Sequence, residues 1–135
     1  MGRAPPSPDL GQRTVALRAC LAAKPGAVAE PMSAPRASVP SVLLFKVMGK
    51  MFAILSVRGA ENVILKCDPH LAEILREQYA GVGHRSHLDR RYWISVNLDA
   101  DVPADEVERL AAHSYELVCA GLTRKQKAEL AALSS

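Results

Sequence analysis

The chain has 135 residues, which is room for one compact domain. Hydrophobic residues make up 49% and charged residues 23%, so the composition excludes a wholly disordered chain. A formal charge of +3 is too small to identify a polyanion binder by itself. Three cysteines without C-x-x-C spacing exclude a disulfide framework and favour a reducing, cytoplasmic location. The sequence contains no apolar window long enough for a membrane span, and we expect neither membrane association nor export.

Prolines divide the chain near residue 41, because seven of the nine lie in the first forty residues. Residues 1–12 predict a disordered leader ahead of a domain over 13–132. Apolar residues at helical spacing predict a first helix over 14–24, which Pro25 and Gly26 end. Residues 29–40 contain three prolines and no periodicity, so they predict an extended or mobile loop.

The middle of the chain predicts an antiparallel meander followed by a helix. Segments 42–48 (VLLFKVM) and 51–57 (MFAILSV) flank Gly49 and Lys50 and predict a β-hairpin, since glycine accepts the positive φ that a tight turn needs. Segment 62–66 (NVILK) predicts a third strand. Asp68 and Pro69 then predict a helix start, because aspartate caps backbone N–H groups and proline suits the first helical position. Gly81 predicts the end of that helix.

The last third predicts a second hairpin and two helices. Segments 82–88 and 92–98 predict strands around a turn at 89–91, with Ile94, Val96 and Leu98 facing the core. Pro103 predicts a helix start and Gly121 its end, and Thr123 caps a short helix over 124–130. The sequence therefore predicts a single α+β domain with an antiparallel sheet of two hairpin units, flanked by helices in the order α-βββ-α-ββ-α-α.

No motif indicates an enzyme or a cofactor. The serines lack a G-x-S-x-G elbow, and the glycines near residue 81 do not form a phosphate-binding loop. His84, His87 and Asp89 come nearest to a metal site. Strand positions three apart point to opposite faces, so structural or surface histidines are favoured and no metal is expected.

Cations gather instead on the predicted hairpins, from which they can reach duplex phosphates. Trp93 and its neighbour Tyr92 can stack on a base or sugar. A solvated surface and a core tryptophan explain the same residue types, so that alternative stays open. The residues predicted to contact nucleic acid are Lys46, Lys50, Arg58, Lys66, Arg85, His87, Arg90, Arg91 and Trp93.

Two segments, 45–53 (FKVMGKMFA) and 65–69 (LKCDP), resemble the MmcQ/YjbR family of small bacterial proteins. Segments 75–79 (LREQY), 87–93 (HLDRRYW), 114–118 (SYELV) and 121–122 (GL) are similar to the family as well, and the resemblance covers about residues 20–130. The resemblance implies a CyaY-like fold, a monomer or weak homodimer, and DNA binding through two basic hairpins described as a double wing.

One segment departs from the family pattern. The family usually carries an aromatic Pro-Phe-Gly type segment where this chain reads AEPMSAPR at 29–36. A remodelled loop over the sheet is the basis of a second hypothesis, a small-molecule binding or self-resistance protein, since relatives of the family occur beside antibiotic-biosynthesis genes. Its pocket lining is predicted to be Met32, Phe45, Met51, Trp93 and Tyr115. The same side chains are equally ordinary core residues, and a scaffold role is a third hypothesis.

Overall fold

The computed structural model describes residues 11–33, 41–57, 61–84 and 88–134. These residues form one α+β domain, as predicted, with four helices and one six-stranded antiparallel sheet in the strand order β1-β2-β3-β4-β6-β5. The elements are α1 (Gln12–Ala22), β1 (Ala27–Met32), β2 (Val42–Val47), β3 (Lys50–Ser56), β4 (Asn62–Lys66), α2 (Pro69–Gln78), β5 (Val82–Gly83), β6 (Trp93–Asn97), α3 (Ala104–Ala120) and α4 (Arg124–Ser134). Of the predicted leader, only residues 11 and 12 are described.

The main correction to the predicted order is an additional strand at one edge of the sheet. Strand β1 pairs with β2 from Ala27 opposite Val47 to Met32 opposite Val42. The order is therefore α-ββββ-α-ββ-α-α, and the predicted loop is wrong for residues 29–32, while 34–40 lie outside the described residues. Edge position explains the missed strand: Pro31 is tolerated at an edge, and a strand exposed along nearly its whole length shows no apolar alternation.

One face of the sheet carries the core. Helices α1 and α3 pack on this face, and α2 covers β5 and β6. Ile94, Val96 and Leu98 are buried in it, as predicted. The opposite face lies away from α1 and α3 and carries the alternate residues of each strand. Core residues contributed by the four central strands include Leu43, Phe45, Ala53, Leu55, Val63, Leu65, Ile94 and Val96.

Helix α3 is tied to the sheet by one fully buried hydroxyl. Ser114 Oγ donates to the Phe52 carbonyl at 2.5 Å and accepts from the Lys66 backbone N–H at 2.9 Å. The next residue, Tyr115, packs its ring edge-on against Phe52 with centroids 5.3 Å apart. The end of β4 is thereby held at a fixed distance from α3.

The two hairpin turns differ from their predicted form. The β2–β3 turn is made by Met48 and Gly49, with φ of 50° and 81°, instead of by Gly49 and Lys50. Both positive angles match the type I′ turn that suits a two-residue hairpin. In the second hairpin only Val82 and Gly83 pair with β6, so the strand predicted over 82–88 is wrong for residues 84 and 88. Residues 85–87 lie outside the described residues.

The helix boundaries follow the capping chemistry. Asp68 Oδ2 accepts from the N–H groups of His70 and Leu71, both at 3.1 Å, which confirms the predicted start of α2. The helix ends at Gln78 and not near Gly81, because Tyr79 adopts an extended conformation. Helix α4 extends to Ser134, beyond the predicted residue 130.

Candidate functional site

Strand register brings both hairpin turns to the same end of the sheet. Lys50 begins β3, whose Ala53 pairs with Leu65 near the end of β4, and Leu65 pairs in turn with Ile94 near the start of β6. The β2–β3 turn, the end of β4 and the segment entering β6 therefore lie side by side, with neighbouring strands about 5 Å apart. We call residues 48–50, 66–69 and 88–93 the wing end.

A cavity of about 460 Å³ opens at the wing end. Lys66 and Trp93 are direct partners across β4 and β6, on the face opposite Leu65 and Ile94. Trp93 is half-buried, and Tyr92 is 41% exposed. We call this cavity the wing pocket; its lining residues are Lys66, Cys67, Asp68, Pro69, Tyr92, Trp93 and Leu117.

Backbone hydrogen bonds fix the floor of the wing pocket. The Cys67 N–H donates to the Tyr92 carbonyl at 2.7 Å, which joins the two strand ends beyond the regular ladder. The Asp68 N–H donates to His113 Nε2 of α3 at 3.3 Å. Together with the Ser114 contact to Lys66, these bonds connect the pocket to α3 and to the core.

Arg76 of α2 holds the segment that carries the two aromatic residues. Its Nη2 donates to the Arg90 carbonyl at 2.6 Å and to the Trp93 carbonyl at 3.2 Å. Its Nε is buried and has no hydrogen-bond partner within the part of the chain that the structure describes. Sequence reasoning assigned Arg76 no role, because a charged residue on a short amphipathic helix ordinarily indicates a solvated position.

Two of the predicted contact cations are compensated by carboxylates. Lys46 Nζ lies 2.9 Å from Glu30 Oε1, across the β1–β2 pair. Arg91 forms an ion pair with Asp89 at 3.1 Å, and its guanidinium carbon lies 5.5 Å from the centroid of the Tyr92 ring. Hydrogen bonds from Arg91 lower the pKa of Asp89 below its ordinary value. Arg91 is therefore held over Tyr92 and not presented as an isolated charge.

Three other cations of the wing end are uncompensated. Among residues 11–33, 41–57, 61–84 and 88–134, no ion pair involves Lys50, Lys66 or Arg90. Lys50 and Arg90 are exposed, and Lys66 is half-buried in the pocket wall. The cationic character of the wing end thus rests on these three side chains.

The pocket contains no group prepared for covalent chemistry. Burial, and secondarily the charge of Asp68, raise the pKa of the Cys67 thiol to about 11, so it stays protonated at neutral pH. Asp68 uses Oδ2 to cap α2. The described residues include no group of three or more His, Cys, Asp or Glu placed to hold a metal ion. Among the described helices, none is both long and apolar enough to cross a membrane.

The structure brings together five of the nine residues predicted to contact nucleic acid: Lys50, Lys66, Arg90, Arg91 and Trp93. Lys46 lies on β2, and its ammonium group forms an ion pair with Glu30. Arg58, Arg85 and His87 lie outside the described residues. The described neighbours of Arg58, Val57 and Glu61, are at the end of the sheet opposite the wing end.

The five residues predicted to line a small-molecule pocket are not brought together. Met32 lies on the edge strand at the end opposite the wing end, where it pairs with Val42. Phe45 is 1% exposed and belongs to the core. Tyr115 packs on Phe52 and donates its hydroxyl to the Pro25 carbonyl at 2.5 Å. Of the predicted set only Trp93 lines the wing pocket, because residues 29–32 extend the sheet and do not fold over it.

Sequence comparison relates the chain to two proteins of Escherichia coli. The Escherichia coli K12 protein YjbR is 36% identical over 72 residues, which are 53% of this chain and 61% of YjbR, so the match spans less than two thirds of that relative. YbdF of Escherichia coli O157:H7 is 28% identical over 89 residues, 65% of this chain and 73% of YbdF.

Solved structures show the same architecture. A Deinococcus radiodurans protein with a DUF419 domain superposes with a TM-score of 0.73 at 29% identity, covering 85% of each chain. A Pseudomonas syringae protein superposes with a TM-score of 0.61 at 21% identity, covering 80% of this chain and 98% of the other, and supports the fold alone. The family model YjbR matches residues 22–117. The chain therefore belongs to the YjbR family.

Proposed function

We propose that the chain binds nucleic acid at the wing end. The observation that carries the proposal is the grouping of Lys50, Lys66 and Arg90 with two accessible aromatic rings at one end of the sheet. Cations that follow a phosphate backbone and aromatic rings that accept bases are the two components of single-strand recognition, and cations alone serve for a duplex.

The positions of several carboxylates support binding of a polyanion at the wing end and not at the opposite end of the sheet. Carboxylates lie at the opposite end of the sheet: Glu61 precedes β4, and Asp99 and Asp101 follow β6. Hydrogen bonds from the N–H groups of Gly81 and Ala80 keep the pKa of Asp101 below its ordinary value. These carboxylates disfavour the approach of a polyanion to that end of the sheet.

The proposal is tested by fluorescence anisotropy of a labelled oligonucleotide at several salt concentrations. Three phosphate contacts predict a log–log salt slope of about −2.7 for a duplex and about −2.1 for a single strand. The double variant Lys50→Glu, Arg90→Glu should weaken binding strongly and flatten that slope.

The matched control is Arg124→Glu, Lys127→Glu, which makes the same change in net charge at exposed positions of α4. The control should bind nearly as the unaltered protein does. An equal loss of affinity in both double variants would show that binding depends only on net charge and not on the wing end. Failure of the oligonucleotide to bind at low salt would refute nucleic-acid binding.

A second candidate function is binding of a free small molecule in the wing pocket. Its volume of about 460 Å³ falls within the usual range of ligand sites. Its walls combine aromatic surface with one cation and one carboxylate, which suits a planar ligand carrying polar groups. A thermal-shift screen of planar compounds tests this function: saturable stabilisation that Trp93→Ala abolishes would support it, and no stabilisation would count against it.

A further inference from the structure

We infer that the wing pocket takes one unpaired nucleobase, so that the chain prefers single-stranded to duplex nucleic acid. The inference rests on the proposed function and specifies which form of nucleic acid the wing end binds. Four features of the pocket carry it: its volume beside two aromatic rings, the position of its carboxylate, the contacts that hold its aromatic segment and its place between the two hairpin turns.

The pocket is large enough for a base and its sugar. A cavity of about 460 Å³ exceeds what a flat phosphate-binding surface requires, and both Tyr92 and Trp93 line it. Stacking of a base on an aromatic ring occurs with any sequence, because every base has a π-face. A base paired within a duplex cannot enter unless it is first rotated out of the helix, which requires unpairing and unstacking. Single strands do not need that step.

The carboxylate determines which part of a nucleotide enters. Asp68 lines the pocket, and its negative charge opposes entry of a phosphate. Both capping bonds of Asp68 use Oδ2, which leaves Oδ1 free of these bonds as an acceptor for an N–H group of a base. Lys66, which also lines the pocket, supplies the charge for the neighbouring phosphate. This arrangement favours the base inside and the backbone outside.

Contacts within the chain hold the aromatic segment in place. Arg76 binds the carbonyls of Arg90 and Trp93, on either side of Tyr92, and Arg91 covers the Tyr92 ring while paired with Asp89. Ordering the rings in advance reduces the conformational entropy lost when a base stacks.

Register places the pocket between the two turns that would hold the backbone. Lys50 lies two strands away from Trp93, about 10 Å across the sheet, with Lys66 on the strand between them. Arg90 lies on the other side, in the turn that enters β6. A nucleic-acid strand that contacts both Lys50 and Arg90 would cross the wing end beside Lys66.

Trp93 is the single tryptophan of the chain, so its intrinsic fluorescence reports on the pocket directly. The experiment titrates the full chain with a short mixed-sequence single strand, with the blunt duplex of the same sequence, and with free adenosine. The expected result is saturable quenching by the single strand and an affinity at least about 10-fold above that for the duplex.

Variants separate stacking from charge. By anisotropy, Trp93→Ala should lose about 10-fold or more in single-strand affinity, Trp93→Phe should keep most of it, and duplex affinity should change little. Lys66→Met is compared with Lys127→Met, an equal charge loss on α4, and only the former should weaken single-strand binding. Circular dichroism confirms that each variant is folded.

The outcomes distinguish the inference from the proposed function. Tight duplex binding without tryptophan quenching would overturn the base pocket and leave nucleic-acid binding at the wing end standing. Absence of binding to either oligonucleotide would overturn both. Quenching by adenosine with no response to the single strand would also overturn both, and would assign the pocket to a free small molecule.

Discussion

Replacing Ser114 by alanine should destabilise the fold by about 2–6 kcal/mol. The hydroxyl is completely buried and makes two hydrogen bonds, as donor to the Phe52 carbonyl at 2.5 Å and as acceptor from the Lys66 N–H at 2.9 Å. Alanine leaves one acceptor on β3 and one donor on β4 without a partner, and each such loss costs about 1–3 kcal/mol. The volume removed is small, so the lost hydrogen bonds dominate the change.

The measurement is urea and thermal unfolding, followed by circular dichroism. For a chain of 135 residues, the entropy of unfolding converts about 2–6 kcal/mol into a fall in Tm of about 7–21 °C. The matched control is Ser33→Ala, which removes the same hydroxyl from an exposed position and should change stability by less than about 0.5 kcal/mol. A loss below about 1 kcal/mol in Ser114→Ala would refute the reasoning, because water entering from the wing pocket would then be satisfying both groups.

Three further predictions concern backbone conformation, thiol reactivity and pH. Gly49→Ala should cost about 1 kcal/mol, because φ is +81° but a Cβ meets open space; Gly26→Ala should cost more, because φ is +72° and its Cβ would lie 2.5 Å from the Leu130 side chain. Urea unfolding measures both. Cys67 should resist alkylation at neutral pH until the protein unfolds, since it is buried and its pKa is raised to about 11; mass spectrometry of the native protein checks this. Asp101→Ala should lower Tm at neutral pH. That difference should narrow as the pH falls below 3.8, the ordinary pKa of the group, because the depressed pKa contributes stability only while the carboxylate is ionised. A difference in Tm that stays constant across the pH range would contradict a stabilising role for the ionised Asp101 carboxylate.

Local sequence patterns correctly predicted those helices and strands that are specified by their own side chains, through apolar alternation or capping. Segment 62–66 forms β4 with the predicted bounds, and Asp68 caps α2, because apolar alternation and capping chemistry act over a few residues. Strand β1 escaped prediction because its stability comes from hydrogen bonds to β2 and not from its own apolar pattern. The turn at Met48 was missed for a related reason: packing of its half-buried side chain against the core offsets the positive φ that methionine ordinarily avoids.

The candidate site was predictable in composition but not in geometry. Sequence reasoning selected Lys50, Lys66 and Trp93, and strand register brings them together at one end of the sheet. It also selected Lys46, whose charge is paired with Glu30 across two strands that had not been predicted to pair. Ion pairs between strands depend on long-range register, which a single sequence does not encode in any local pattern.

Binding and stability can be separated at this site because its residues have different connections to the core. Ser114 accepts a hydrogen bond from the Lys66 N–H, and Arg76 donates one to the Trp93 carbonyl. Substitutions of Ser114 or Arg76 should therefore reduce both the stability of the fold and the affinity for a ligand. Trp93 and Lys66 are half-buried residues of the pocket wall, and their substitutions should reduce affinity with a smaller loss of stability. If the ligand binds in the wing pocket, the two groups of substitutions must differ in this way in their effects on stability. A ligand held by surface charge alone would be insensitive to Ser114, since that residue contributes no charge and has no exposed surface.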